Sequence, residues 1–381
     1  MNTREWIEKL VGFNTISSES NLELIDYIAA YLKEEGIEPT LIYNDEKTKA
    51  NLFATVGPNV PGGIVLSGHT DVVPIEGQKW SSDPFTVREA EGKLFGRGTA
   101  DMKSFIAIVL ASLPKMKDAN LKLPIHFAFS YDEEVGCLGV QSMVKHMADH
   151  VAPPRLVVVG EPTSMQVAAA HKGQHVSKTK IVGREAHSSR PDDGVNAVVV
   201  AAQLIQFITE MAEEARILGA RDEAFDPPYT SFNIGPISGG SAFNIISNTC
   251  EFDWEFRPVP NDDPSAILDK YNRYLHDVVE VKIKEKFPEC SVENEVWAYL
   301  PPLKADPGSD GEALALKLAN KNETTVVAFG TEGGHFQSID FPVVVCGPGD
   351  IAQAHKPDEF ISLEQVEAGE KFIERVIEVM C

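Results

Sequence analysis

Apolar residues recur along this chain in two rhythms. Leu24, Ile25, Ile28 and Leu32 repeat at helical spacing, which predicts a helix over 20–35 with Ser20 and Glu23 as its capping box and Gly36 as its stop. Residues 64–66, 125–129, 156–159 and 343–345 are instead short, unbroken apolar runs. Runs without alternation suit strands covered on both faces, as in the sheet of a layered α/β domain. Residues 102–116 read as a helix between two of them.

The middle of the chain has a different order. Residues 177–182 read as a strand, 195–215 as a long helix, 231–237 and 249–256 as alternating strands, 264–287 as a second long helix and 291–298 as a last strand. That is β-α-β-β-α-β, the order of a ferredoxin-like unit. Pro301, Pro302, Pro307 and Gly308 then mark a crossing back. The expectation is an α/β fold with a discontinuous catalytic domain, 1–175 and 301–381, interrupted by a ferredoxin-like domain over 176–300. The open edge of the inserted sheet needs a partner or a cover.

Composition narrows the function. With 381 residues, 43% of them hydrophobic, the chain can bury more than one core and is not disordered. Asp and Glu number 57 against 34 Lys and Arg, a net charge of −23. This argues against a nucleic-acid or anionic-membrane partner, and solubility alone would account for it. The N-terminus has no apolar leader run, and the longest apolar stretch, 195–208, is interrupted by Asn196, Gln203 and Gln206 and is too short to cross a bilayer. The cysteines (137, 250, 290, 346 and 381) form no CxxC, which points to reduced thiols and a cytoplasmic location. GxSxG and HExxH are absent, and in the Gly96–Asp101 segment a carboxylate stands where a dinucleotide loop needs glycine.

The segments just after the apolar runs carry the chemistry. SGHTDVVP brings His69 and Asp71, SYDEEVG brings Asp132, Glu133 and Glu134, GEPT brings Glu161, and GPGDIAQAHKP brings Asp350 and His355. Asp101, in GRGTADMK, opens the 102–116 helix. Ligands of open α/β sheets bind beyond the carboxyl ends of the strands. Singly, each residue has an ordinary reading as a helix cap, a solvated pair or a surface histidine. Gathered at one edge, two imidazoles and three carboxylates would need a cation. A donor set without thiolate suits Zn, Co or Mn, and five donors fit two metals that share a carboxylate.

SGHTDVVP, GRGTADMK, DEEVG, GEPT and QAHKPDEF, in this order, resemble the co-catalytic zinc aminoacylase and carboxypeptidase family, over essentially the whole chain. The resemblance implies a metal-dependent amide hydrolase with two divalent ions, zinc first and cobalt or manganese as alternatives. It implies His69 and Glu161 on one metal, Glu134 and His355 on the other, and Asp101 between them, its peptide to Met102 in the cis form. Asp71 would orient His69 through the ring N–H, and Glu133 would be the general base.

In the insertion, His187 in GREAHSSRPDDGVNA matches the histidine that the family offers to a partner subunit's site for oxyanion stabilisation. Arg257 in EFRPVP matches the arginine for a substrate carboxylate, and Asn244 in GGSAFNIIS looks like a further polar contact. The plain alternatives are a surface histidine and a surface ion pair. A homodimer through the inserted lid and dimerisation domain is implied by the same resemblance.

FGTEGGHFQ departs from the family members that remove succinyl groups and looks more like those that take an N²-acetyl amino acid with a cationic side chain. Thr331 and Glu332 would then line a pocket loop, Glu332 pairing with an ammonium or else facing solvent. Cys137 is expected to pack as a small apolar residue, and His335 has no assigned role. The alternatives are a succinyl-diamino-acid hydrolase, a broader aminoacylase or a dipeptidase. A non-catalytic metal-dependent binding protein is the reading from another class, against which intact Glu133 and His187 argue.

Overall fold

The four unbroken apolar runs become neighbouring strands. In the computed structural model, which describes residues 1–381, Ile125–Ser130, Ile64–His69, Leu156–Pro162 and Val343–Gly347 lie side by side and parallel. Every residue of the first three is buried, as strands covered on both faces require. Ala50–Val56 and Thr40–Tyr43 extend this sheet on one side, and Ala168–His171 and Thr325–Val327 on the other, to eight strands. Helices Thr3–Val11, Leu22–Glu34, Lys103–Ala111 and Leu363–Met380 contribute residues to the same core, among them Trp6, Leu24, Phe105 and Phe372.

Two local expectations need correction. The helix expected over 20–35 runs Leu22–Glu34, but Ser20 and Glu23 form no capping box. Ser20 Oγ donates instead to the Thr48 carbonyl at 2.5 Å, and the Asn21 amide donates to the Ala50 carbonyl and to Thr70 Oγ1, both at 2.9 Å. Tertiary acceptors thus win over the local cap. The predicted helix over 102–116 is two, Lys103–Ala111 and Leu113–Asp118, because Pro114 can only stand in the first turn of a new helix.

Glycine sets how closely the Lys103–Ala111 helix approaches the sheet. A Cβ on Gly160 would fall 2.2 Å from Phe105 Cγ, and one on Gly68 2.8 Å from Met102 Cε. At Gly160 only hydrogen clears the Phe105 ring, whereas at Gly68 the Met102 methyl would have to swing aside; both keep Asp101, just before the helix, close to the ends of the strands that carry His69 and Glu161.

The chain divides into two compact units, Met1–His171 with Leu303–Cys381, and Lys172–Pro302. The second holds an antiparallel sheet ordered Ser231–Gly239, Thr249–Arg257, Gln174–Val182, Ser291–Leu300. Its helices are Ala197–Leu218, capped by Asn196, and a composite stretch capped by Asp263. That stretch runs Pro264–Arg273, through a π segment at Tyr274–Glu280, to Val281–Lys284. Phe252, Trp254 and Phe256 alternate inward and meet Leu204, Ile208 and Tyr271 in a separate core. No helix is long and apolar enough to cross a membrane. All five cysteines are free thiols, four of them buried.

Candidate active site

Parallel strands in register bring their C-terminal ends to one edge. His69 closes its strand opposite Ser130, and Glu161 lies near the end of Leu156–Pro162. Glu133 and Glu134 come in the turn after Ser130, and His355 in the loop after Val343–Gly347. The Asp101–Met102 peptide is cis. The five expected ligands converge. His69 Nε2 is 3.0 Å from Asp101 Oδ1 and 3.6 Å from Glu161 Oε1. His355 Nε2 is 3.0 Å from Glu134 Oε2 and 3.4 Å from Asp101 Oδ2. The Asp101 carboxylate therefore presents one oxygen to each histidine. His69, Asp101 and Glu161 are buried, whereas the His355 side chain is 55% exposed, so the cluster opens to solvent on that side.

Charge in this cluster is poorly balanced by protein alone. Burial pushes the Glu161 carboxyl well above its ordinary range, and nearby Asp101 adds to the effect. Glu134 is pushed up to about 7 by burial and by Asp101. Burial also works against ionised Asp101, yet hydrogen bonds from His355 and His69 hold it below the usual carboxylate range. Bonds to Asp101 and then to Glu134 raise His355 to about 10, against burial. For His69 burial opposes protonation, but Asp101 and Asp71 outweigh it and hold the ring well above 6.5. The ion-pair partners of Asp101, Glu134 and Glu161 are only these imidazoles, and Glu161 Oε1 is buried without a hydrogen bond. Nitrogen and oxygen donors from His69, Asp101 and Glu134, and from His69, Glu133 and Glu161, lie within 4.8 Å of one another. These residues fit divalent cations of the zinc, cobalt or manganese type.

Asp71 meets the ring N–H of His69, with a main-chain acceptor. The ring Nδ1 donates to the Asp71 main-chain carbonyl at 2.9 Å, while the Asp71 carboxylate is 3.6 Å away. That carboxylate accepts instead from Ser17 Oγ at 2.7 Å and from the amides of Glu133 and Glu134 at 3.1 and 3.3 Å. Asp71 thus orients His69 mainly through its backbone and anchors the acidic turn with its side chain. Lys49, whose Nζ reaches Asp132 Oδ1 at 2.6 Å and the Ser17 carbonyl at 2.5 Å, ties the same turn. Ser17 and Lys49 belong to no motif, and nothing in the sequence pattern marks either.

Burial pushes the Glu133 carboxyl well above its ordinary range, against a lowering pull from His69, and Glu134 and Asp101 add to the rise. The Cys137 thiol donates to Glu133 Oε1 at 3.4 Å, so Cys137 is more than apolar filling.

Thr331 and Glu332 do not line an open pocket loop. Both are buried, and Thr331 Oγ1 accepts from the Gly333 amide at 3.0 Å. The Glu332 carboxylate accepts from Ser67 Oγ at 3.0 Å and from Ser130 Oγ, below the strand ends that carry the site. It neither faces solvent nor leaves a free oxygen for a substrate ammonium. Burial pushes its carboxyl from 4.5 up to about 7, against the two serine bonds. A raised acid stabilises the fold fully below 4.5 and loses that contribution as pH rises through 7. At pH 8, keeping Glu332 ionised costs about 3 kcal/mol. Glu332→Gln should therefore raise the melting temperature of chelated protein at pH 8 and change it little at pH 4.5. An equal effect at both pH values would show that the charge is not the cause.

In the Lys172–Pro302 unit, His187 is exposed and its Nδ1 lies 2.8 Å from Ser189 Oγ. The Ser188 amide donates to the Asn244 carbonyl at 3.0 Å, which makes His187 and Asn244 neighbours along two paired segments. Arg257, partly exposed at a strand end, reaches Glu255 at 3.3 Å with Nε.

Known proteins share this architecture and sequence. A profile described as "Peptidase family M20/M25/M40" matches residues 65–379. An acetylornithine deacetylase of Shigella sonnei (strain Ss046) is 34% identical over 367 residues, 95% of this chain and 92% of its own. An M20 family metallo-carboxypeptidase from Sulfolobus solfataricus superposes with a TM-score of 0.78 at 16% identity, covering 100% of this chain and 99% of its own. A dinuclear metal-binding M20 peptidase of Bacillus subtilis gives 0.67 at 15% identity, covering 99% and 97%.

Proposed function

This chain belongs to peptidase family M20/M25/M40, and from that premise we propose that it removes the acetyl group from N²-acetyl-L-ornithine to give L-ornithine and acetate, a step of arginine biosynthesis. Its class is that of a metal-dependent amide hydrolase. The substrate reading is supported by the acetylornithine deacetylase that matches nearly end to end. The observation that carries the chemistry is the Asp101 carboxylate, with Oδ1 toward His69 and Oδ2 toward His355. A carboxylate shared in this way is what two adjacent cations need from a bridging ligand.

In this reading His69 and Glu161 would hold one metal, Glu134 and His355 the other, and Asp101 would serve both. Zinc is the first choice, with cobalt or manganese as alternatives. When bound, the metals supply Lewis acidity, which acidifies water and polarises a carbonyl. Glu133 takes up the proton of the attacking water at a carboxylate oxygen and passes it to the leaving amine. A buried carboxyl with raised proton affinity suits that exchange. Asp71, through the Glu133 amide, keeps that carboxylate's turn in place. Arg257 would bind the substrate's α-carboxylate as a two-pronged donor, and Asn244 would add a polar contact. The inserted unit would also pair two copies, so that His187 donates to the oxyanion at the partner's site. The substrate is a small N-acyl amino acid, and the protein works in the cytoplasm.

The test is amine release by metal-loaded protein from N²-acetylornithine, N-succinyl-diaminopimelate, N-acetylmethionine and a dipeptide. The highest kcat/KM is expected with acetylornithine. Faster release from the succinyl substrate or the dipeptide would replace the substrate, and no release from any of them would sink the hydrolase reading.

A further inference from the structure

A polar chain, buried at its Glu359–Arg97 end, joins the backbones of two metal-binding segments. The Glu359 carboxylate, 1% exposed, accepts from the amides of Ala100 at 2.8 Å and Asp101 at 3.1 Å through Oε1. Its Oε2 receives Arg97 Nη1 at 2.7 Å, and that arginine is equally buried. Arg97 Nη2 donates to Gln78 Oε1 at 2.6 Å, and Gln78 Nε2 donates to the His355 carbonyl at 3.0 Å. A second tie joins the Gln78 loop to the His355 loop. Asp358 Oδ1 accepts from Ser81 N at 3.0 Å and from Ser81 Oγ at 2.7 Å.

We propose that Glu359, Arg97 and Gln78 form a positioning brace that sets Asp101 and His355 at the spacing needed for the second metal. The inference rests on the metal reading of the His69, Asp101, Glu134, Glu161 and His355 cluster. Three features favour it over a simple structural ion pair. Its two ends fall on the main chain of Asp101 and His355, not on core elements. His355 holds φ at +61°, a left-handed backbone that histidine seldom adopts, and the Gln78 amide fixes the carbonyl of that residue. The negative charge of Glu359 is matched by Arg97, so it can grip the Asp101 amide without adding net charge beside the ligands. A buried pair of this kind contributes little net stability by itself, which leaves positioning as its use.

Cobalt(II) titration by calorimetry and visible absorption tests this, on wild-type protein and on Gln78→Ala and Glu359→Gln. The wild type should bind two ions. Each variant should weaken the ion at Glu134 and His355 by about 10–100-fold, with a changed cobalt spectrum for that ion, and the ion at His69 and Glu161, which shares only Asp101 with the brace, by less. Gln78 is only half-buried, so Gln78→Ala should fold and melt like wild type. If Glu359→Gln does not fold, Gln78→Ala decides alone. Two ions bound with wild-type affinity and spectrum in the folded variants would overturn the brace. Equal weakening of both ions with a lower melting temperature would overturn it too, because that is what general loosening gives. Fewer than two ions on the wild type would overturn the metal reading itself, and the brace with it.

Discussion

Glu133→Gln should keep both metals and lose turnover by about 10²–10⁴-fold, the range that general acid–base help supplies. The substitution preserves shape, so the Asp71 contact to the residue 133 amide survives. What disappears is the ability to gain and lose a proton at one buried oxygen. Glu133 makes no ion pair with either histidine, whereas Glu134 and Glu161 each face one. The loss should thus appear in kcat with KM nearly unchanged, the pattern of an interaction made in the transition state. Cobalt stoichiometry and single-turnover rates on the same preparation separate the outcomes. Loss of one ion would move Glu133 into the ligand set, and wild-type turnover would remove it from the mechanism.

Sequence made some of this legible and hid the rest for physical reasons. The four unbroken apolar runs announce the central parallel strands because burial on both faces leaves no room for polar residues. Ala50–Val56 escaped notice, although it is almost wholly buried, because Asn51 interrupts it. Asn51 is a buried polar residue whose amide donates to the Gly139 carbonyl at 2.8 Å and to Ser142 Oγ at 3.0 Å, partners that only the fold supplies. The Thr3–Val11 helix, with Trp6, Ile7 and Leu10 turned inward, is masked by the charges on its other face. Four of the site's ligands were legible because each comes at or after the end of a strand that the pattern reveals, and Asp101 because it opens a predicted helix. Their supports were not. Ser17 acts on the Asp71 carboxylate, and Lys49, Gln78 and Glu359 reach backbone atoms of distant segments; no spacing along the chain marks such contacts. Glu332 shows the converse error. Its charge invited a role toward substrate, and the fold turns it inward onto two serines.

Chelation should abolish amide hydrolysis, and zinc, cobalt or manganese should restore it, with a stability change whose size depends on pH. Without a cation, Asp101, Glu133, Glu134 and Glu161 crowd two imidazoles, and no lysine or arginine pairs with them. The apo protein relieves this by binding protons. Glu134, raised from 4.5 to about 7, stabilises the fold fully below 4.5 and loses that contribution as pH climbs through 7. The contribution of His355 has the same sign, but its folded value near 10 delays the loss to higher pH. Asp101, held low, contributes above its ordinary value and loses that only in acid. The apo protein should therefore grow less stable between about pH 4.5 and pH 7. A metal competes with the same protons and binds better as they leave. At a free concentration 100 times its dissociation constant, a metal that binds only the folded state adds about 2.7 kcal/mol. The rise in melting temperature on adding zinc should be small at pH 5 and several degrees at pH 8. A rise equal at both pH values would mean that the ion binds away from these carboxylates. Activity that persists in excess chelator, with no bound metal by elemental analysis, would overturn the metal-dependent mechanism altogether.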